Sequence, residues 1–142
     1  MTVWGMDKAS RDAGANPIAI CEAAMVPLVL FLCKDRIQNR QVLFFLDNSV
    51  ALFSMVKGTS NQPWVARCTH VMGFVCLQVN SNTWFEFVDS KSNWSDSVSR
   101  KLADCPFCKK HGIPVEKVEI PQYWWTMSLS EMKVFLLRDL EK

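Results

Sequence analysis

Sixteen consecutive residues, Ile18 to Cys33, are apolar with one exception, the carboxylate of Glu22. A run of this kind has to leave water, either into lipid or into a protein core. A membrane span takes about 20 residues. This run is shorter, contains Pro27 and carries a charge near one end, so a buried helix is the expectation and a span is not. Its Ala, Met, Leu and Cys content favours helix from about Ile20 to Lys34, with Pro27 kinking it or marking its first turn.

The next segments alternate between helix and strand. After a polar turn at Gln38-Asn39-Arg40, Gln41–Leu46 (QVLFFL) is a short continuous apolar run, as a fully buried strand would be. Asp47-Asn48-Ser49 comes immediately after it with helix-capping chemistry. Val50 to Val56 reads as a short helix stopped by Gly58. Trp64, Val65, Cys68, Val71, Met72, Val75, Cys76 and Val79 recur at three- and four-residue steps, the clearest amphipathic helix in the chain. Asn80-Ser81-Asn82 breaks it, and Thr83–Val88 has the aromatic composition of a strand. A short helix is expected over Asp96–Leu102 and a terminal one over Leu129–Leu140, with less regular chain after Pro106; Thr2–Met6 is a possible short strand. Helix, strand, helix, helix, strand, helix predicts an α/β sheet. Asp47 leaves one of its strand ends, where open α/β sheets collect their chemistry.

Composition narrows the class. A chain of 142 residues fits one domain, and 49% apolar with 11% aromatic residues excludes disorder. The net charge of +2 permits phosphate binding without demanding it. The basic residues are scattered, from Lys34, Arg36 and Arg40 to Lys109 and Lys110. Four of the six cysteines (Cys21, Cys33, Cys68, Cys76) sit in apolar runs and read as small core side chains. No secretory signal opens the chain, so an intracellular compartment, cytoplasmic or nuclear, is expected, without a disulfide framework.

Three acids stand out by context: Glu22 in its apolar stretch, Asp47 after QVLFFL, and Asp96 in FVDSKSNWSDSVSR. Carboxylates gathered at one sheet edge repel one another unless compensated. Mg²⁺ is suited to that task because it favours hard oxygen ligands. Each acid also has a plain reading: Asp47 and Asp96 as helix caps, Glu22 as a first-turn acid favoured by the helix dipole.

The series of a Glu in an early helix, strand-Asp47-Asn48-x-x-Ala51, Lys57-Gly58, then an aromatic strand and Asn93-x-x-Asp96-x-x-Ser99-Arg100 resembles the ribonuclease H domains of retrotransposon reverse transcriptase polyproteins. The resemblance covers about Ile20 to Leu102. It implies an α/β, ribonuclease H-like mixed sheet flanked by helices, with residues 18–104 as the core, 1–17 as an incomplete N-terminal segment and 105–142 as an extension. It further implies two-metal hydrolysis of RNA in RNA–DNA hybrids, with Glu22, Asp47 and Asp96 as catalytic Mg²⁺ ligands and Asn48, Lys57, Asn93 and Arg100 toward the nucleic acid. The rest of a polyprotein would be a further partner. The family carries another Asp on a first strand; Asp7 is a faint echo of it, and the interval to Glu22 is too short for two more strands. The resemblance therefore implies an incomplete metal site and a chain with little or no activity. The alternative is an inactive nucleic-acid-binding or interaction module of the same fold.

Two rival signals remain. Cys105-Pro106-Phe107-Cys108 looks like a glutaredoxin active site, which needs its first Cys at a helix N-terminus. Only Lys109 to His111 separate it from Gly112-Ile113-Pro114, so a loop is expected and redox chemistry is not. Cys105, Cys108 and His111 offer three zinc ligands where structural zinc takes four, and His70 is the only other histidine. Trp64, Trp84 and Phe87 read as core. Trp124 and Trp125 fit either an exposed patch or a buried anchor.

Overall fold

The computed structural model describes residues 16–116, 118 and 122–137. The strand expected at Thr2–Met6, Asp7, and the last residues of the helix expected to reach Leu140 lie outside them. In chain order the elements are α1 (Pro17–Leu32), α2 (Lys34–Ile37), β1 (Gln41–Leu46), α3 (Ser49–Lys57), α4 (Pro63–Val79), β2 (Asn82–Phe87), α5 (Trp94–Lys101), a 3₁₀ turn (Leu102–Asp104), α6 (Pro106–His111), α7 (Tyr123–Thr126) and α8 (Leu129–Leu137). The described residues fall into two compact units, 16–87 with 122–137, and 88–116 with 118.

In the first unit α1 begins where Asn16 offers its side-chain oxygen to the Ile18 and Ala19 amides, at 3.1 and 3.3 Å. Pro17 occupies the first turn, where a missing N–H is tolerated, and Pro27 lies in the helix interior. Ile20, Ala23, Ala24, Val26, Leu28 and Leu30 are buried against Val65, Cys68, Val71 and Val75 of α4 and Ala51, Leu52 and Met55 of α3. Trp124, Met132 and Leu136 complete this core, which makes Trp124 a buried anchor. Arg67 of α4 holds that C-terminal segment by donating from Nε to the Trp124 carbonyl and from Nη2 to the Met127 carbonyl. Among the described residues no helix is long and apolar enough to cross a membrane.

β1 and β2 pair in parallel, from Gln41 opposite Asn82 to Leu46 opposite Phe87. Two asparagines set that register. Asn39, before β1, and Asn80, closing α4 before β2, both adopt left-handed backbone at φ 57° and 49°, which Asn tolerates better than most residues. The Asn80 amide donates to the Asn39 side-chain oxygen at 2.8 Å. The Asn39 N–H reaches the Val79 carbonyl at 2.9 Å and the Asn82 N–H reaches that of Arg40 at 3.2 Å. The two strands are thus aligned before their ladder starts.

Burial corrects two readings. β1 is not buried on both faces: Val42, Phe44 and Leu46 turn to the core, whereas Leu43 and Phe45 are each 55% exposed. Trp84 and Phe87, read as core, are exposed as well. For Leu43, Phe45 and Trp84 the physical reason is one-sided cover; Phe87 shares its face with Phe85 and is exposed as the last residue of β2. Phe44 and Phe85 face each other on the helix-covered side, and Leu43 and Trp84, paired in register, share the open side.

In the second unit Asn93 caps α5, accepting from the Ser95 amide at 3.2 Å. The segment expected as a loop around Cys105 is instead a helix, α6. Cys105 occupies its N-cap and Pro106 its first turn, where the fixed proline φ already suits a helix. Gly112 ends it at φ 63°, and the Ile113 N–H closes onto the Cys108 carbonyl at 2.9 Å. That six-to-one bond past a left-handed glycine is a Schellman closure. Six residues are enough because both ends are specified.

Candidate functional site

Asp47 comes directly after the last residue of β1 and is half-buried at the C-terminal end of a parallel strand. The cap of the next helix is Asn48, whose side-chain oxygen accepts from the Ala51 amide at 3.1 Å. The Asp47 carboxylate takes no part in that cap, so the plain reading of this residue does not apply. Glu22 is half-buried in the second turn of α1, which has no acid in its first turn. The helix-dipole reading fails for it too.

Asp96 sits in the first turn of α5, where negative charge is favoured, behind the Asn93 cap. Its Oδ1 accepts from Arg100 Nε at 2.9 Å, one helical turn on. Asp96 and Arg100, read separately as metal ligand and nucleic-acid contact, are therefore bonded to each other on an exposed helix face. Such surface pairs contribute under about 1 kcal/mol and open readily. Asn48 and Asn93, read as nucleic-acid contacts, both engage their side-chain oxygens as caps, which leaves each amide NH₂ as a donor. Lys57 is exposed in the last turn of α3, where positive charge meets the helix C-terminus.

The structure thus brings Asp47 and Asn48 into one turn and Asn93, Asp96 and Arg100 onto one short helix. Hard carboxylate oxygens suit Mg²⁺ in kind. Among the described residues, however, no three His, Cys, Asp or Glu side chains gather into a metal-binding group. Glu22 and Asp47 belong to the first unit and Asp96 to the second. Two described clefts, both in the first unit, carry no candidate acid. One, about 390 Å³, runs along β2 between Met55, Met72, Cys76 and Trp84. The other, about 320 Å³, lies between Val29, Leu30 and Cys33 of the α1 end and Val42–Phe45 of β1.

Sequence reasoning named Cys105 and Cys108 but missed the helix, α6, that carries them. Cys105 and Cys108 are both buried, while His111 is exposed with its ring against Phe107 at 4.6 Å between centroids. The signals that could have found the helix were Pro106 just inside its start and Gly112 just past its end. Three of the remaining cysteines are core-like thiols. Burial pushes Cys68 up to about 12, and burial also raises Cys21 and Cys76.

Compared with known proteins, the chain matches no family model, no curated protein and no solved structure.

Proposed function

We propose that the chain is a ribonuclease H-like domain of the retroelement type, or a remnant of one, that engages RNA–DNA hybrid. The observation that carries this reading is Asp47: an acid at the C-terminal end of a parallel strand, released from capping by its neighbour Asn48. The order of elements supports it. A helix bearing Glu22 precedes β1, a helical crossover joins β1 to its parallel neighbour β2, and the helix after β2 bears Asp96. On this reading Glu22, Asp47 and Asp96 are the acids that meet Mg²⁺, and Asn48, Lys57, Asn93 and Arg100 meet the nucleic-acid backbone. The site would act in an intracellular setting, within a larger polyprotein.

A second reading, a module that binds without cleaving, is favoured by the Asp96–Arg100 pair, which occupies one of the three acids. One experiment separates the two. Purified chain is mixed with an RNA–DNA hybrid, a matched DNA duplex and single-stranded RNA across a salt series, and cleavage is monitored in millimolar Mg²⁺. Hybrid binding that weakens with salt is expected, with a log–log slope of about −2 if Lys57 and Arg100 are the phosphate contacts, and with little or no cleavage. Metal-dependent cleavage abolished by Asp47→Asn would establish the active enzyme in place of the binding module. Failure to bind hybrid at low salt would sink both readings.

A further inference from the structure

We propose that Cys105 and Cys108 form a thiol–disulfide exchange pair, Cys105 attacking and Cys108 resolving, that reacts with low-molecular-mass disulfides. The inference is independent of the nuclease reading and rests on the second unit alone. Cys105 is the N-cap residue of α6 and Cys108 stands three residues on. Helical side chains three apart lie about 5–6 Å from one another, and a disulfide joins Cα atoms about 4.4–6.8 Å apart. The pair can therefore close without moving the backbone far. A third group completes the cluster: Ser97 of α5 places its hydroxyl 3.6 Å from the Cys105 sulfur.

The two thiols are not equivalent. The Cys108 N–H at the open end of the helix, then the Ser97 hydroxyl, hold the Cys105 thiol down to about 7 against the opposing effect of burial. The Cys105 side chain makes no helix-cap hydrogen bond, so the N–H groups at the helix end act on the sulfur through their field. Cys108 is raised, first by burial and then by its neighbour Cys105. Near neutral pH one sulfur of the pair is poised as a thiolate and the other keeps its proton, the division of labour that exchange requires.

The exchange runs in two balanced steps. The Cys105 thiolate attacks one sulfur of glutathione disulfide, forming a mixed disulfide and releasing one glutathione thiolate. Cys108 gives its proton to that thiolate and attacks the Cys105 sulfur, forming the Cys105–Cys108 bond and releasing the second glutathione as thiolate, which takes its proton from water. The dithiol is oxidised by two electrons and the glutathione disulfide is reduced by two. Both sulfurs are buried, so the reagent reaches them by local displacement of the neighbouring chain while the N-terminus of α6 stays formed.

Trypsin cleavage makes the test specific, because the peptide Leu102–Lys109 carries Cys105 and Cys108 and no other cysteine. The intact folded chain is equilibrated in glutathione buffers of graded ratio, quenched in acid, alkylated in denaturant, digested and weighed. The expected result is a Leu102–Lys109 peptide two hydrogens lighter and unalkylated, while Cys21, Cys33, Cys68 and Cys76 remain alkylated. Cys108→Ser should trap glutathione on Cys105, and Cys105→Ser should carry about tenfold less adduct at pH 7, since its remaining thiol is protonated. Two alkylated thiols in that peptide at every ratio would overturn the proposal. So would oxidation of one of the other four cysteines first, or a tightly held zinc ion that blocks the pair until it is chelated.

Discussion

Asparagine carries much of this fold one residue at a time. Asn16, Asn48 and Asn93 cap helices, and Asn39 and Asn80 hold the left-handed turns that align β1 with β2. Losing a cap oxygen typically costs about 1 kcal/mol. Asn48→Ala should therefore lower stability in urea by roughly that amount, and Asn48→Asp should retain most of it. Asn80→Ala loses both the bond to Asn39 and the residue type that tolerates positive φ, a penalty of about 1–2 kcal/mol. Asn80→Gly keeps the backbone and should lose less, measured by the same unfolding curves; an equal loss would contradict the turn argument. The sequence shows a break at Asn80-Ser81-Asn82 and capping chemistry at Asp47-Asn48-Ser49. It does not say which residue of each trio acts. Asp and Asn have nearly the same capping chemistry, and it is the start of the helix at Ser49 that gives the cap to Asn48 and not to Asp47.

At the scale of elements, legibility tracks the strength of the local signal. The three- and four-residue rhythm of α4 is long, and it places the helix within a residue of Pro63–Val79. Strand β2 lies one residue earlier than its composition suggests, and β1 is in place but has one buried face, not two. QVLFFL contains no polar residue inside the run to reveal which side faces water. The short helix α6 escapes a reading that counts only the residues between Cys108 and Gly112, because the helix starts before Cys108. The attachment of α7 and α8 is beyond local signals altogether, since it depends on Arg67 reaching carbonyls 57 and 60 residues away in the chain. Arg67→Met keeps the stem and removes both donors. Hydrogen bonds from a charged group are worth about 1.5–3 kcal/mol each, so a stability loss of about 2–4 kcal/mol is expected. Amide exchange in residues 122–137 should rise more than in α1. Uniform acceleration across the first unit would show that Arg67 is not a local tether.

At the scale of the whole molecule, one sheet face presents Leu43, Phe45 and Trp84 to solvent, and contiguous apolar surface of this kind favours association. Phe45→Lys on that face should raise the concentration at which the chain stays monomeric in light scattering, while its stability changes by no more than about 0.5 kcal/mol, as for surface sites generally. A large stability loss would mean that this face is packed. The central proposal is that Glu22, Asp47 and Asp96 are the acids that meet Mg²⁺. Amide NMR spectra recorded during a Mn²⁺ titration into the millimolar range test it most directly. The account predicts paramagnetic broadening that develops together at residues flanking Glu22, Asp47 and Asp96 and that Asp47→Asn removes from all three. Broadening confined to one of them, or shared evenly with the exposed acids Asp89 and Asp104, would contradict it.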